Sequence, residues 1–491
     1  MKWPKFSIKS NIDEFGYGFK STLAQIFALT TTYLFIMKAG IDSITPTVII
    51  GAVTDNRNTD YNNPLSDLSE EQMSWIGSLV YLFPPVGSVA ASLGQDYFGH
   101  RKCMMFSDVM NIATIGILMF ANTPEFLYAI SAVMGFNMGF ITTFTISYCG
   151  EVCEPKLRGV LMTVINLFYF AGYLCVTTLY AITADWKLSV LLTVTIPIAA
   201  AVFLIKTPDS PMWLLSRGRT EEAKQTLKKL RGDATEESCN KEFEDMIQYT
   251  SNMNNPITGE TKLVTFKDSF YSLMEPESLE PMIMLLILTF FINIMSGVPY
   301  IPYLMAVFDT FKTPIHSAWA TAIYTGLSVI GNVPTIFIIS RLGKRFLSMS
   351  TMAISSVCYL CIGVIGHFWT SSLISSWAQV ILFFVSIFAA SMGIMPILGI
   401  LMCELYPMKT KNMGAGISSA TYFITCFVMT KFYLNIENLI GFYNTFVLFG
   451  FFGLTGVVYM YFQLPETENK TLKEISENFK KKSPKIDVQT N

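Results

Sequence analysis

Apolar residues in this chain do not alternate with polar ones. They run on in blocks of about twenty or more, parted by short polar connections. Twelve such blocks stand out, at about residues 25–51, 73–94, 102–122, 126–149, 158–184 and 187–206, then 281–308, 315–340, 346–367, 377–405, 413–435 and 442–463. A helix of ~20 residues crosses the hydrocarbon core of a bilayer. Within lipid each backbone N–H and C=O must be bonded inside its own segment, so such blocks predict membrane helices. They fall into two sets of six, on either side of a polar stretch at 207–280. The expected organisation is therefore a leading segment 1–24, a six-helix bundle 25–206, a linker 207–280, a second bundle 281–463 and a tail 464–491.

The linker opens with Pro208-Asp209-Ser210-Pro211, which stops the preceding helix because proline lacks an N–H and restricts its neighbour. Asp209 or Ser210 is placed to cap a new helix with Pro211 in its first turn. That helix is predicted to be amphipathic and basic, with Leu214, Ala223, Leu227 and Leu230 set among Arg and Lys. Such a helix suits a membrane surface or a bed of helix ends.

Charge orients the bundle. Odd-numbered connections carry little positive charge; the first has Arg57 against Asp55, Asp60, Asp67, Glu70 and Glu71. Even-numbered ones carry Arg101 and Lys102, Lys156 and Arg158, Arg341, Lys344 and Arg345, and Lys409 and Lys411. Basic loops stay on the cytoplasmic side, so both termini and the linker are expected there, with the plasma membrane as the default membrane. The only Asn-x-Thr sequon, Asn469 to Thr471, then falls in the cytoplasm, and the polar, basic N-terminus is read as carrying no cleavable signal.

Composition narrows the class. Of 491 residues, 52% are hydrophobic and only 14% charged, which fits twelve spans. The net charge of −2 gives no reason to expect nucleic acid. The nine Cys lie mostly inside apolar blocks, which reads as packing; Cys358 and Cys361 form a CxxC, but within such a block. No metal or cofactor is expected, and with no GxxxxGK[ST] there is no ground for an ATP-driven pump or an enzyme.

The two halves echo one another. Gly99-His100-Arg101-Lys102 follows the second block and Gly343-Lys344-Arg345 the eighth. Glu151 and Arg158 stand seven apart after the fourth, Glu404 and Lys411 seven apart after the tenth. Pro208-Asp209-Ser210 follows the sixth and Pro465-Glu466-Thr467 the twelfth. Such repetition is the pattern of carriers built from two like bundles about an axis normal to the membrane.

These motifs carry a family resemblance over nearly the whole chain. PDSPMWLL with SRGR and a later Leu-Arg-Gly, SLGQDYFGHRK, YCGEVCEPKLRG, CELYPMKTKN and LPETENKTLKEI resemble the signature segments of the sugar porters of the major facilitator superfamily. The resemblance implies an all-α membrane protein of twelve helices in two pseudo-symmetric bundles. It also implies a monomeric carrier of a small neutral sugar in a lipid bilayer. The matching positions Asp96, Arg101, Glu151, Arg158, Arg345, Glu404, Lys411 and Glu466, together with Gly99, Gly159, Pro407, Thr467 and Glu474, are those expected at helix ends facing the cytoplasm. Carboxylates and cations there can pair across the halves and bias one state of the carrier against the other. Ser92, Tyr97, His100, Ser131 and Ser340 replace family Gly, Arg, Arg, Arg and Asp, so fewer charges serve the gate.

Sugar recognition calls for amides and hydroxyls plus flat apolar surface. By position, the resemblance points to Asn166, Asn293, Ser296, Tyr303 and Ser328. FINIMSGVPYIPY (291–303) stands where the family has Gln-Gln-Leu-Ser-Gly-Ile-Asn, with Asn293 a shortened Gln, Ile294 for the second Gln and Pro299 for the Asn. Gly399 stands where a tryptophan usually flanks the substrate, so a roomier cavity suited to a disaccharide is expected. FVMTK (427–431), LFG (448–450) and the PET tail resemble the invertebrate facilitated trehalose transporters most.

Lys38 and Asp42 lie inside the first block, four residues apart and so on one helix face. Buried membrane charges call for a partner, and these two supply it to one another. Gly40-Ile41-Asp42 also resembles the Gly-Tyr-Asp of proton-coupled sugar symporters, whose helix-four Arg is Ser131 here. The expected function is facilitative sugar transport by alternating access; the alternatives are proton-coupled symport and a non-transporting sugar sensor.

Overall fold

The computed structural model describes residues 19–54, 68–232, 239–247, 274, 276–313, 315–369, 372–406 and 411–466. Helices follow one another in twelve spans, numbered here in chain order. Spans 1 to 6 are Phe19–Thr54, Glu70–Phe98, His100–Leu118, Pro124–Val152, Pro155–Thr183 and Trp186–Leu204. Spans 7 to 12 are Ser278–Thr310, Ser317–Leu342, Lys344–Phe368, Leu373–Met402, Lys411–Ile440 and Phe442–Gln463. Among the described residues, nine of these are long and apolar enough to cross a membrane, namely spans 1, 2, 4, 5, 6, 7, 9, 10 and 12. Span 3 carries a buried Asp108 and Asn111, which face protein rather than lipid.

Local chemistry sets the span boundaries. Ser69 and Gln72 form a reciprocal capping box at the start of span 2, at 3.2 and 2.9 Å. Pro84 and Pro85 break the same span at Phe83. Thr123-Pro124 and Glu154-Pro155 start spans 4 and 5 with proline in the first turn. Span 7 is interrupted at Gly297, whose φ of +83° is the left-handed region that favours glycine. Pro299 and Pro302 hold the tight turn Val298–Tyr303 that follows. Non-helical backbone at membrane depth survives only where protein or a cavity covers it.

Each bundle has its own apolar core, the first centred on residues such as Phe35, Phe144 and Tyr148, the second on Phe308, Phe383 and Phe446. Large apolar side chains such as Leu93, Val109, Phe337 and Phe451 are exposed on the outside of the helices, as lipid-facing residues are. Within the first bundle, spans meet backbone to backbone. A Cβ on Gly40 would come within 2.0 Å of the Tyr169 carbonyl oxygen, and one on Gly139 within 2.0 Å of that of Pro84. Small residues permit such approach in membranes, where packing rather than hydrophobicity drives helix association.

Between the bundles the contacts are side-chain contacts. Thr47 Oγ1 donates to the Ile301 carbonyl at 2.7 Å, and Thr177 and Thr325 hydroxyls meet at 2.9 Å. Lys431 Nζ donates to Ser74 Oγ at 2.6 Å and sits 4.0 Å from the Trp75 ring centre. Asn438 Nδ2 donates to Glu70 at 2.6 Å. These bonds gather at the membrane face opposite the linker.

The linker differs from expectation in one respect. The single amphipathic helix is two, Pro211–Ser216 and Thr220–Arg231, parted at Gly218, whose φ is +73°. Ser210 caps the first by accepting from Trp213 N. Leu214, Ala223 and Leu227 pack with Cys239 and Phe243, while Leu230 joins the first bundle's core. The linker helices thus lie against helix ends.

Candidate functional site

A cavity of about 120 Å³ lies between the halves. From the first half it is lined by Tyr81 of span 2 and by Asn166, Tyr169, Phe170 and Tyr173 of span 5. From the second come Ile292, Ser296, Val298 and Ile301 of span 7, Met395 and Leu398 of span 10, and Tyr422 and Phe423 of span 11.

The hydroxyls on the first wall are connected. Ser43 Oγ lies 2.8 Å from Tyr173 Oη and 3.2 Å from Tyr81 Oη; Tyr169 and Tyr173 hydroxyls are 3.4 Å apart. A hydroxyl has one proton and two lone pairs. A chain of four therefore keeps acceptor capacity that a ligand's own hydroxyls can use. Sequence reasoning missed these tyrosines. They come from spans 2 and 5 and meet at Ser43 of span 1, and only the packing of those helices brings the hydroxyls together.

Of the residues expected to touch substrate, Asn166 and Ser296 line this cavity. Ser296 turns its hydroxyl to the Ile292 carbonyl at 2.7 Å. Asn293 is fully buried outside the lining; it faces the Cys426 thiol, a weak partner, and its carboxamide is otherwise without hydrogen bonds. Ser328 donates to the Tyr324 carbonyl at 3.2 Å. Tyr303 stacks on Tyr433 at 5.4 Å, its hydroxyl unpartnered and within the field of Glu437 and Glu70, and it does not line the cavity. At Gly399 a Cβ would meet nothing within 4 Å, so there is open space where a tryptophan would stand.

Lys38 and Asp42 are brought together. Nζ bonds Oδ1 directly, with both side chains almost fully buried.

The charges at the linker end are engaged within their own halves. The Glu151 carboxylate accepts from Ser210 Oγ and, at 3.4 Å, from Ser147 Oγ, and His100 Nε2 lies 3.7 Å away. The Asp96 carbonyl accepts from Arg217 at 2.5 Å and from the Trp213 indole at 3.4 Å. Arg101 donates to the Ile205 carbonyl at 3.1 Å. In the second half, Glu466 accepts from the backbone N–H groups of Lys344 and Arg345, both at 3.1 Å. It thereby caps span 9 with a negative charge where the helix dipole favours one. Arg345 bonds the Tyr461 carbonyl and lies 5.6 Å over its ring. The side chains of Arg158, Glu404, Lys411 and Ser340, all of Pro407, Thr467 and Glu474, the sequon and the acidic segment 55–67 lie outside the described residues. A further anchor was not expected: the buried Arg231 pairs with Glu242 at 2.7 Å and donates to the Val152 carbonyl at 3.0 Å, tying the linker to the end of span 4.

Two bundles of six helices with a cavity at their seam are the architecture of a multi-pass membrane protein of the major facilitator fold. Residues 27–479 match the family described as Sugar (and other) transporter, and the chain belongs to that family. The facilitated trehalose transporter of Drosophila grimshawi is 26% identical over 458 residues, which cover 92% of this chain and 47% of that protein. That of Polypedilum vanderplanki is 25% identical, covering 83% of this chain and 79% of its own. The chain thus spans about half the length of the first of these relatives. In fold, the xylose transporter XylE from E. coli in an inward-open conformation superposes with a TM-score of 0.72 at 15% identity, covering 93% of this chain and 99% of its own. The proton:xylose symporter XylE bound to 6-bromo-6-deoxy-D-glucose gives 0.70 at 17%, covering 94% and 100%.

Proposed function

We propose that this protein carries a neutral sugar across the plasma membrane, down its gradient, by alternating access. The reading is carried by the linked hydroxyls of Ser43, Tyr81, Tyr169 and Tyr173, of which the three tyrosines line a cavity between two bundles. Membership of a sugar transporter family and relatives named as trehalose transporters support it. Basic residues at the linker end and acidic ones at the other support cytoplasmic termini. The bonds between halves then close the outer face, and the charges Glu151 and Glu466, each held in its own half, suit a cytoplasmic side that is not locked. In the opposite state, Glu151, Arg158, Glu404 and Lys411 would pair across it.

One observation favours a second reading. Asp42 is a carboxylate buried in the membrane, as a proton-coupled carrier would need. Its direct bond to Lys38 gives that carboxylate a standing counter-charge within its own helix, which favours transport without protons. Uptake of radiolabelled glucose and trehalose in transport-deficient cells, with and without a proton uncoupler, tests both. Uptake that an uncoupler leaves unchanged is expected. Uphill accumulation abolished by the uncoupler and by Asp42→Asn would establish symport instead, and absence of any sugar uptake would overturn the proposal.

A further inference from the structure

The two walls of the cavity are unlike. The first-half wall is polar, with three tyrosine hydroxyls and the Asn166 amide. The facing wall presents Ile292, Val298, Ile301, Met395 and Leu398. Its polar groups are two: Ser296, whose proton goes to its own helix and which keeps only acceptor capacity, and the Tyr422 hydroxyl. Asn293, the amide on this side, lies behind the wall and not in it.

An unsubstituted sugar carries hydroxyls around its whole rim. Between these walls, one set would meet many partners and the other would be desolvated largely against aliphatic carbon, with only Ser296 and Tyr422 to bond. A ligand with hydroxyls at one end and hydrocarbon at the other loses no such bonds and buries apolar surface as well.

We propose that the preferred substrate class is a hexoside bearing an apolar aglycone, with its sugar against Tyr81, Asn166, Tyr169 and Tyr173 and its aglycone against Ile292, Met395 and Leu398. This rests on the sugar-transport reading above and assigns its two walls separate roles.

The test is uptake of radiolabelled phenyl β-D-glucoside, D-glucose and trehalose by cells expressing the full chain. Burying a phenyl group should give the glucoside a half-saturation concentration on the order of tenfold or more below that of glucose. Ile292→Gln and Leu398→Gln, each checked for surface expression by biotinylation, should narrow that gap by supplying amides to the apolar wall. Glucose or trehalose entering at equal or lower concentration than the glucoside would overturn the proposal while leaving sugar transport standing. A glucoside preference unchanged in both surface-expressed Gln variants would also overturn it. Uptake of none of the three would remove the sugar-transport reading itself.

Discussion

Replacing Lys38 by Ala should harm this protein more than replacing Lys38 and Asp42 together. The two side chains are 1% and 2% exposed and bonded to one another inside span 1. Removing the ammonium leaves a carboxylate with neither water nor a counter-charge, a loss of about 3–5 kcal/mol for a buried pair cut on one side. Lys38→Ala with Asp42→Asn removes both charges and leaves a neutral amide, whose unmet hydrogen bonds cost about 1–3 kcal/mol. The double variant should therefore recover roughly 2 kcal/mol relative to Lys38→Ala. Thermal unfolding of the detergent-solubilised protein, followed by fluorescence-detected gel filtration, measures this. The single variant should melt several degrees below wild type, the double between them. A Lys38→Ala protein as stable as wild type, or a double variant less stable than the single, would refute the argument.

Three further outcomes are expected. Lys431→Gln removes a hydrogen bond of about 1 kcal/mol and a cation–π contact of about 0.5–2 kcal/mol. It should move the population towards opening of the face opposite the linker, read as faster labelling of Phe423→Cys by an impermeant thiol reagent in an otherwise cysteine-free chain; unchanged labelling would count against a role for this contact in holding the halves together. Arg231→Ala leaves Glu242 and the Val152 carbonyl without their guanidinium and should expose the linker to limited proteolysis, with Arg231→Lys only partly protective because the fork is lost. Gly139→Ala should abolish a monodisperse gel-filtration peak, since its Cβ would strike backbone, whereas Gly399→Ala should leave the peak intact.

The architecture was legible because membrane helices are written in unbroken apolar runs, and each half repeats the other's loop motifs. The Lys38–Asp42 pair was legible because a four-residue spacing fixes a shared helix face whatever the rest of the fold does. The Ser210 cap followed from proline placement in the same way. The hydroxyl wall was not legible. Ser43, Tyr81 and Tyr173 are ordinary residues in three separate spans, and nothing local marks their meeting. Position in a family motif did not tell apart two residues of span 7: past the broken backbone at Gly297, Tyr303 stacks on Tyr433, while Ser296 lines the cavity. Arg231 hid within a run of linker cations, distinguished only by the packing that buries it.

The glycine-lined meeting of spans 1 with 5 and 2 with 4 contrasts with the joint between bundles, where Met305 Sδ rests on Gly51 and the Pro302 ring on Gly77. A peptide group pressed against a peptide group has no rotamers with which to accommodate an intruding methyl, but a thioether can swing aside. Inherited variation should therefore be distributed unevenly. Inside a bundle most changes at these crossings would be purged for misfolding, while along the joint they would survive as carriers with altered turnover. Diversity in transport speed among descendants of this sequence is then expected to accumulate at Met305 and its neighbours, with the crossings at Gly40 and Gly139 held constant.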